Sequence, residues 1–209
     1  MELVTFLYPG MTTLDLVGPH EVLAHLPDIN VRRVAAQAGP VTADTGLQLV
    51  ADSAMSDVQS ADILLMPGGT DTWPLLTDEA VLDWVRQIDG TTQWTTSVCT
   101  GSLVYAAAGL LSGREATTHW ATMEVLEQYG AVPTKQRVVR SDKYVMAAGV
   151  SAGIDMGLTL AAEIAGEEFA QLLQLAIEYD PQPPFDAGSP EKVPHLADAV
   201  AAMLTNPAG

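Results

Sequence analysis

Three stretches of the sequence carry residues able to do chemistry. The first, "WTTSVCTGSL" at 94–103, holds Cys99, the only cysteine in 209 residues. "TQWTTSV" before it reads as a strand and "GSLVYAAAGLL" after it as a helix, so the thiol falls at a strand-to-helix turn. Such turns lie at the carboxyl edge of a parallel sheet, where open α/β folds place their ligand crevices. A helix N-terminus beside the thiol favours thiolate, the nucleophilic form. Gly101 permits the tight approach of a nucleophile elbow, although Ser97 stands where the G-x-S-x-G pattern has its first glycine. A plain buried thiol is the alternative.

The second stretch, "MPGGTDTW", ends another strand. Gly68 and Gly69 there can offer backbone N–H groups alongside that of Thr100, the composition of an oxyanion pocket, or they can simply make a turn. In the third, "GMTTLDLVGP", Asp15 sits between Leu14 and Leu16 where a helical pattern begins. It is either an acid partner for the thiol or a helix cap.

The elements that position these residues alternate between strand and helix. "LVTFLY" reads as a buried strand, "TLDLVGPHEVLAHL" as a helix and "VRRVAAQ" as a second strand. "VTADTGLQLVAD" alternates around Thr45-Gly46 like a hairpin, "ADILLMPGG" is a short apolar run of parallel-strand type, and a helix is predicted over 79–88. Beyond the thiol, "HWATMEVLEQYG" reads as a helix, "RVVRSDKYVMAAG" as two strands around a Ser-Asp turn, and "GIDMGLTLAAEIAGEEFAQLLQLAIEY" as two helices broken near Gly166. The Pro-rich "DPQPPFDAGSP" precedes a last short helix, and "TNPAG" reads as a frayed end. The fold class predicted is α/β: one doubly wound, mostly parallel sheet with helices on both faces. The expected organisation is a single domain over 1–209 with a Pro-rich extension from about residue 179.

Composition narrows the partners. A hydrophobic share of 48% against 17% charged residues suits one globular core. The net charge of −17 works against nucleic acid and anionic lipid, since binding either depends on Lys and Arg. No apolar run is long enough for a membrane helix, and the N-terminal "MELVTFLYPG" lacks signal-peptide features, so a cytoplasmic location is expected. A single thiol forms no internal disulfide, and His20 with His25 is too sparse for a metal site.

The strand end "PGG", the elbow "VCTGSLVYAAAGLLSGREATTHW" and the later "GVSAGIDMGLTLAAE" resemble the ThiJ/PfpI superfamily over about residues 2–192. Asp15 together with the tail "EYDPQPPFDAGSP" resembles its isocyanide hydratase branch. That resemblance implies a flavodoxin-like, class I glutamine-amidotransferase-like fold. It makes Cys99 the nucleophile, Asp15 its acid partner and Thr100 a residue that orients the site. Gly69 and Thr100 would supply backbone donors beside Gly68, and Val150 in "AAGVSAG" would pack near the thiol. His119 in "TTHW" matches a histidine common in the superfamily. Many relatives have Glu at the position of Asp15, "AAG" stands here for the family's "GGG", and Thr100 replaces the histidine that follows the nucleophile in peptidase-like members, which argues against a Cys-His protease. The implied activity is hydration of an organic isocyanide to an N-substituted formamide through a covalent thioimidate. A small-molecule isocyanide partner, a homodimer and no metal or other cofactor complete the expectation. Two other readings belong to the same superfamily: a glyoxalase or stress-protective thiol protein, and a ligand-sensing domain like that of AraC-type regulators, which continue into a helix-turn-helix domain.

Overall fold

A computed structural model of the chain describes residues 1–205, as an open sheet between two layers of helices. In chain order the elements begin with β1 (Glu2–Phe6), α1 (Thr13–Leu23), β2 (Asn30–Ala35), β3 (Gly39–Thr42), β4 (Gln48–Ala51) and β5 (Ser53–Ala54). Then come β6 (Ile63–Met66), α2 (Glu79–Asp89), β7 (Trp94–Val98), α3 (Gly101–Ala107), β8 (Glu115–Ala116), α4 (Met123–Gln128) and β9 (Val132–Pro133). The last are β10 (Val138–Ser141), β11 (Tyr144–Ala147), α5 (Ala152–Ala165), α6 (Glu167–Ala176) and α7 (Pro194–Thr205). The main sheet has the order β10-β11-β7-β6-β1-β2-β5, and only the β10–β11 pair is antiparallel.

The central strands are apolar along their length because both faces are covered. Leu3, Ile63 and Leu65 pack with Val22, Met156 and Leu160 of the α1, α5 and α6 layer. Val4, Phe6, Leu64 and Met66 turn the other way, onto Trp84, Leu103 and Leu126 of the α2, α3 and α4 layer. Asp78 caps α2 by accepting from the Ala80 and Val81 N–H groups at 3.0 and 3.3 Å, which satisfies two donors of the first turn.

The doubly wound class expected from the sequence is the one found. Local differences have short-range causes. Gly109, at φ +81°, follows the end of α3 at Ala107, so "GSLVYAAAGLL" is only partly helical. "HWATMEVLEQYG" is two pieces, a 3₁₀ turn at Trp120–Thr122 and then α4, because the His119 side chain accepts the Ala121 N–H and caps the first. The predicted hairpin is β3–β4, outside the main sheet. Residues 178–193 contain no helix or strand, and α7 then packs on the Trp120–Thr122 turn and on a 3₁₀ segment at Thr70–Thr77. Trp73 fixes that contact by donating its Nε1–H to the Leu204 carbonyl at 2.9 Å. Of the stretch read as frayed, Thr205 ends α7 and residues 206–209 lie outside the described residues.

Candidate active site

The sheet order explains why distant segments meet. The chain leaves β1 for β2 on one side and later returns through β6 on the other, so the crevice between β1 and β6 is a topological switch point. The loops after β1, β6 and the adjacent β7 therefore share one sheet edge. With the first turn of α1 after the first loop, they carry Asp15, Gly68-Gly69 and Cys99. The first two loops are stitched by a Met11–Gly69 bridge and by the Thr12 N–H donating to the Gly68 carbonyl at 2.8 Å.

Cys99 sits at φ +56°, a left-handed conformation that costs a β-carbon-bearing residue energy. The surroundings over-determine it. Its N–H donates to the Ala147 and Ala148 carbonyls at 3.1 and 2.7 Å, and its own carbonyl accepts from the Thr118 and Ser102 hydroxyls at 2.9 and 3.3 Å. The turn also requires Gly101, whose β-carbon would lie 2.2 Å from the Met66 carbonyl oxygen. This is the geometry of an elbow with the side chain forced out of both strand and helix.

Asp15 is fully buried in the first turn of α1 and does not cap that helix. Its Oδ2 instead accepts from the Gly68 N–H at 3.0 Å, while Oδ1 has no conventional partner. Burial pushes its pKa up to about 7, against the Gly68 N–H and the Cys99 thiol, which both lower it; Asp44 raises it further. The thiol is pushed up as well, by burial first and the Asp15 carboxylate second, while the Thr100 amide and hydroxyl favour the thiolate. The helix end, expected from the sequence to lower the thiol, is outweighed by complete burial. Both groups are thus pushed toward holding their protons, and the first proton lost belongs to the pair.

Gly68 and Gly69 do not leave their N–H groups free: Asp15 Oδ2 takes the first, and Thr100 Oγ1 takes the second at 2.9 Å. Gly68 is tied to this position because a β-carbon there would lie 2.5 Å from the Thr100 nitrogen. Thr100 Oγ1 lies 2.7 Å from Thr72 Oγ1, which lies 2.8 Å from the Tyr8 hydroxyl. Tyr8, Thr72 and Thr118 were missed in the sequence, where nothing beyond the position of Tyr8 at the end of the first strand marks them.

A cavity of about 550 Å³ borders this centre through neighbours of its residues. Cys99 and Asp15 are not part of its lining, but Leu14, which precedes Asp15, and Thr118 and Ala148, which hydrogen-bond the Cys99 backbone, are. Val150 and His119 both line it, and residues 188–191 form one rim. His119 Nδ1 accepts the Ala121 N–H at 3.2 Å and burial lowers its pKa, so the neutral ring carries its hydrogen on Nε2. Among the described residues no group of three or more His, Cys, Asp or Glu is placed to hold a metal ion, and no helix is long and apolar enough to cross a membrane.

The sequence pattern of the DJ-1/PfpI family matches residues 1–163. The chain belongs to the DJ-1/PfpI family. Within that family it is 47% identical over 194 residues to the isonitrile hydratase of Pseudomonas putida, covering 93% of this chain and 85% of the relative. It is 30% identical to the HTH-type transcriptional regulator CdhR of Pseudomonas aeruginosa over 78% of this chain and 51% of the regulator, so it spans about half of that protein. A solved ThiJ/PfpI protein from Pseudomonas syringae superposes with a TM-score of 0.93 at 40% identity, over 97% of this chain and 85% of that one.

Proposed function

We propose that this DJ-1/PfpI protein is an isocyanide hydratase with Cys99 as nucleophile and Asp15 as the acid and base. The observation that carries the reading is the buried carboxyl of Asp15, held by the Gly68 N–H and electrostatically coupled to the lone thiol of Cys99. An isocyanide needs that pair, because its terminal carbon must accept both a nucleophile and a proton. The thiolate of Cys99 attacks that carbon, forming the C–S bond, while Asp15 gives the carbon its proton. The product is a thioimidate. Carboxylate Asp15 then takes a proton from water as the hydroxide adds to the carbon, and returns it to the nitrogen. When the C–S bond breaks, the hydroxyl proton passes to Asp15, releasing the N-substituted formamide and restoring thiolate and acid. Thr100 steadies the sulfur through its amide and hydroxyl, and Gly68 holds Asp15. The net reaction is that of a hydro-lyase.

The cavity bordering the centre, with His119 and Val150 in its wall, is where the substituent of the isocyanide would sit. We also infer a homodimer working in the cytoplasm, the assembly and location the sequence suggests. The test is incubation of the purified protein with an alkyl isocyanide and, separately, methylglyoxal. Formamide in the first arm only, a transient mass adduct on the protein, and loss of both in Cys99→Ala are expected. Turnover of methylglyoxal alone, or undiminished hydration in Cys99→Ala, would overturn the assignment.

A further inference from the structure

Because β10 runs against β11, the chain enters β10 at the same sheet edge to which β7 delivers Cys99. Cys99, Ala148 and Arg137 stand side by side there. The Cys99 N–H donates to the Ala148 carbonyl at 2.7 Å, and the Ala148 N–H to the Arg137 carbonyl at 2.9 Å. Two strand spacings, about 10 Å, therefore separate the backbone at Arg137 from that at the thiol. Residues 135–137 form part of the cavity wall, joined to its other side by the Thr117 hydroxyl, which donates to the Gln136 carbonyl at 3.1 Å. Leu14 and Ala148, the neighbours of Asp15 and Cys99, are apolar, whereas Lys135 and Arg137 bring two cations to the wall. The two are not equivalent. Arg137 is occupied by the fold: its guanidinium pairs with Asp155 and donates to Ser151 Oγ at 3.2 Å. Lys135 has neither an ion pair nor a hydrogen bond among the described residues. Of the nine Lys and Arg, each of the other eight pairs with an Asp or Glu. Even Glu191, in the lining of the same cavity, forms no ion pair with Lys135. In a chain with 26 acids, the one cation left without a carboxylate thus stands in the wall of the cavity beside the thiol.

We propose that Lys135 sets the substrate class: its ammonium takes a carboxylate carried on the substituent of the isocyanide, so that isocyano carboxylates are preferred to uncharged isocyanides. The proposal rests on the hydratase reading and deepens it. The ammonium donates charge-assisted hydrogen bonds to the carboxylate, on a stem long enough to reach back over the span toward Cys99. A chain of about two or three methylenes between the isocyano and carboxylate groups bridges that span once the C–S bond and the terminal hydrogen bond are included. The rest of the molecule works the other way. A net charge of −17 repels anions, so a preference for a carboxylate has to come from a cation at the cavity itself. Lys135 is exposed, and a carboxylate beside it keeps part of its water, which limits the preference to about three- to ten-fold.

The probes are isocyanopropionate and isocyanobutyrate with the isocyano group at the chain end, each set against its own primary amide, which keeps the shape and removes the charge. The ratio of kcat/KM for acid over amide is expected at about three to ten in wild type. In Lys135→Gln it should fall to about one or below, since only the repulsive field remains, and in Lys135→Glu it should fall further. Taking the ratio within one variant cancels any change in folding or in the thiol, and a lysine that serves only the surface would leave it untouched. A ratio near one in wild type, or one that survives Lys135→Gln, overturns the proposal. The corresponding formamides, N-formyl-β-alanine and its primary amide, separate this result from the hydratase reading, because their binding by calorimetry needs no turnover. If neither isocyanide were hydrated, the activity would fail. The ratio of the two dissociation constants, in wild type and in Lys135→Gln, would still decide for or against Lys135 as the carboxylate anchor.

Discussion

At the scale of single residues, the Asp15–Cys99 pair sets both pH dependence and stability. Below pH about 7 both groups hold protons; above it the pair keeps one proton, mostly on sulfur, and the proposed reaction draws on the tautomer that has it on Asp15. Hydration should therefore rise as pH climbs through about 7 and then level off, and Asp15→Asn should lose the inflection along with about two orders of magnitude in rate. Initial rates from pH 5 to 9 check this. The same carboxyl destabilises the fold when charged. Its pKa is raised from 3.8 to about 7, so its contribution to stability is fully present below pH 3.8 and lost as pH rises through about 7. Asp15→Asn should consequently gain on wild type between pH 4 and pH 8 by on the order of 4 kcal/mol, measured by denaturant unfolding at each pH. A difference that does not change with pH would mean that Asp15 titrates normally.

At the scale of elements, the elbow is held by backbone, and backbone does not yield. Gly101→Ala sets its β-carbon against the Met66 carbonyl of β6, so a loss of about 2–3 kcal/mol is expected in unfolding experiments. The strain at φ +56° predicts a less intuitive result. Cys99→Gly should be about 1 kcal/mol more stable than Cys99→Ala, since only glycine occupies that region freely. How far the elements could be read from sequence follows from their length. β6 and α2 announce themselves by an apolar run and a capped periodic face, whereas β5, β8 and β9 are two residues each and carry no period at all. The candidate site divides in the same way. Cys99, Gly101 and Asp15 lie in local motifs, but the contacts of Tyr8 with Thr72 and of Thr72 with Thr100 join residues 64 and 28 positions apart, and threonines in a sequence give no sign of which face each other.

At the scale of the whole molecule, the three loops become one site only because the sheet order places β1, β6 and β7 side by side. The C-terminal segment is joined to that site too. Residues 188–191 form one rim of the cavity, and α7 is hooked to Trp73 in the segment that follows Gly69. A ligand that fills the cavity meets residues 188–191 and should therefore hold the segment that carries them in place. A protease that cuts within 178–193 in the opened tail becomes a gauge of occupancy. With an N-alkylformamide present at about ten times its dissociation constant, cleavage should slow by about an order of magnitude, without any catalytic turnover. The loop that looks least like part of an enzyme would then report whether the enzyme is full.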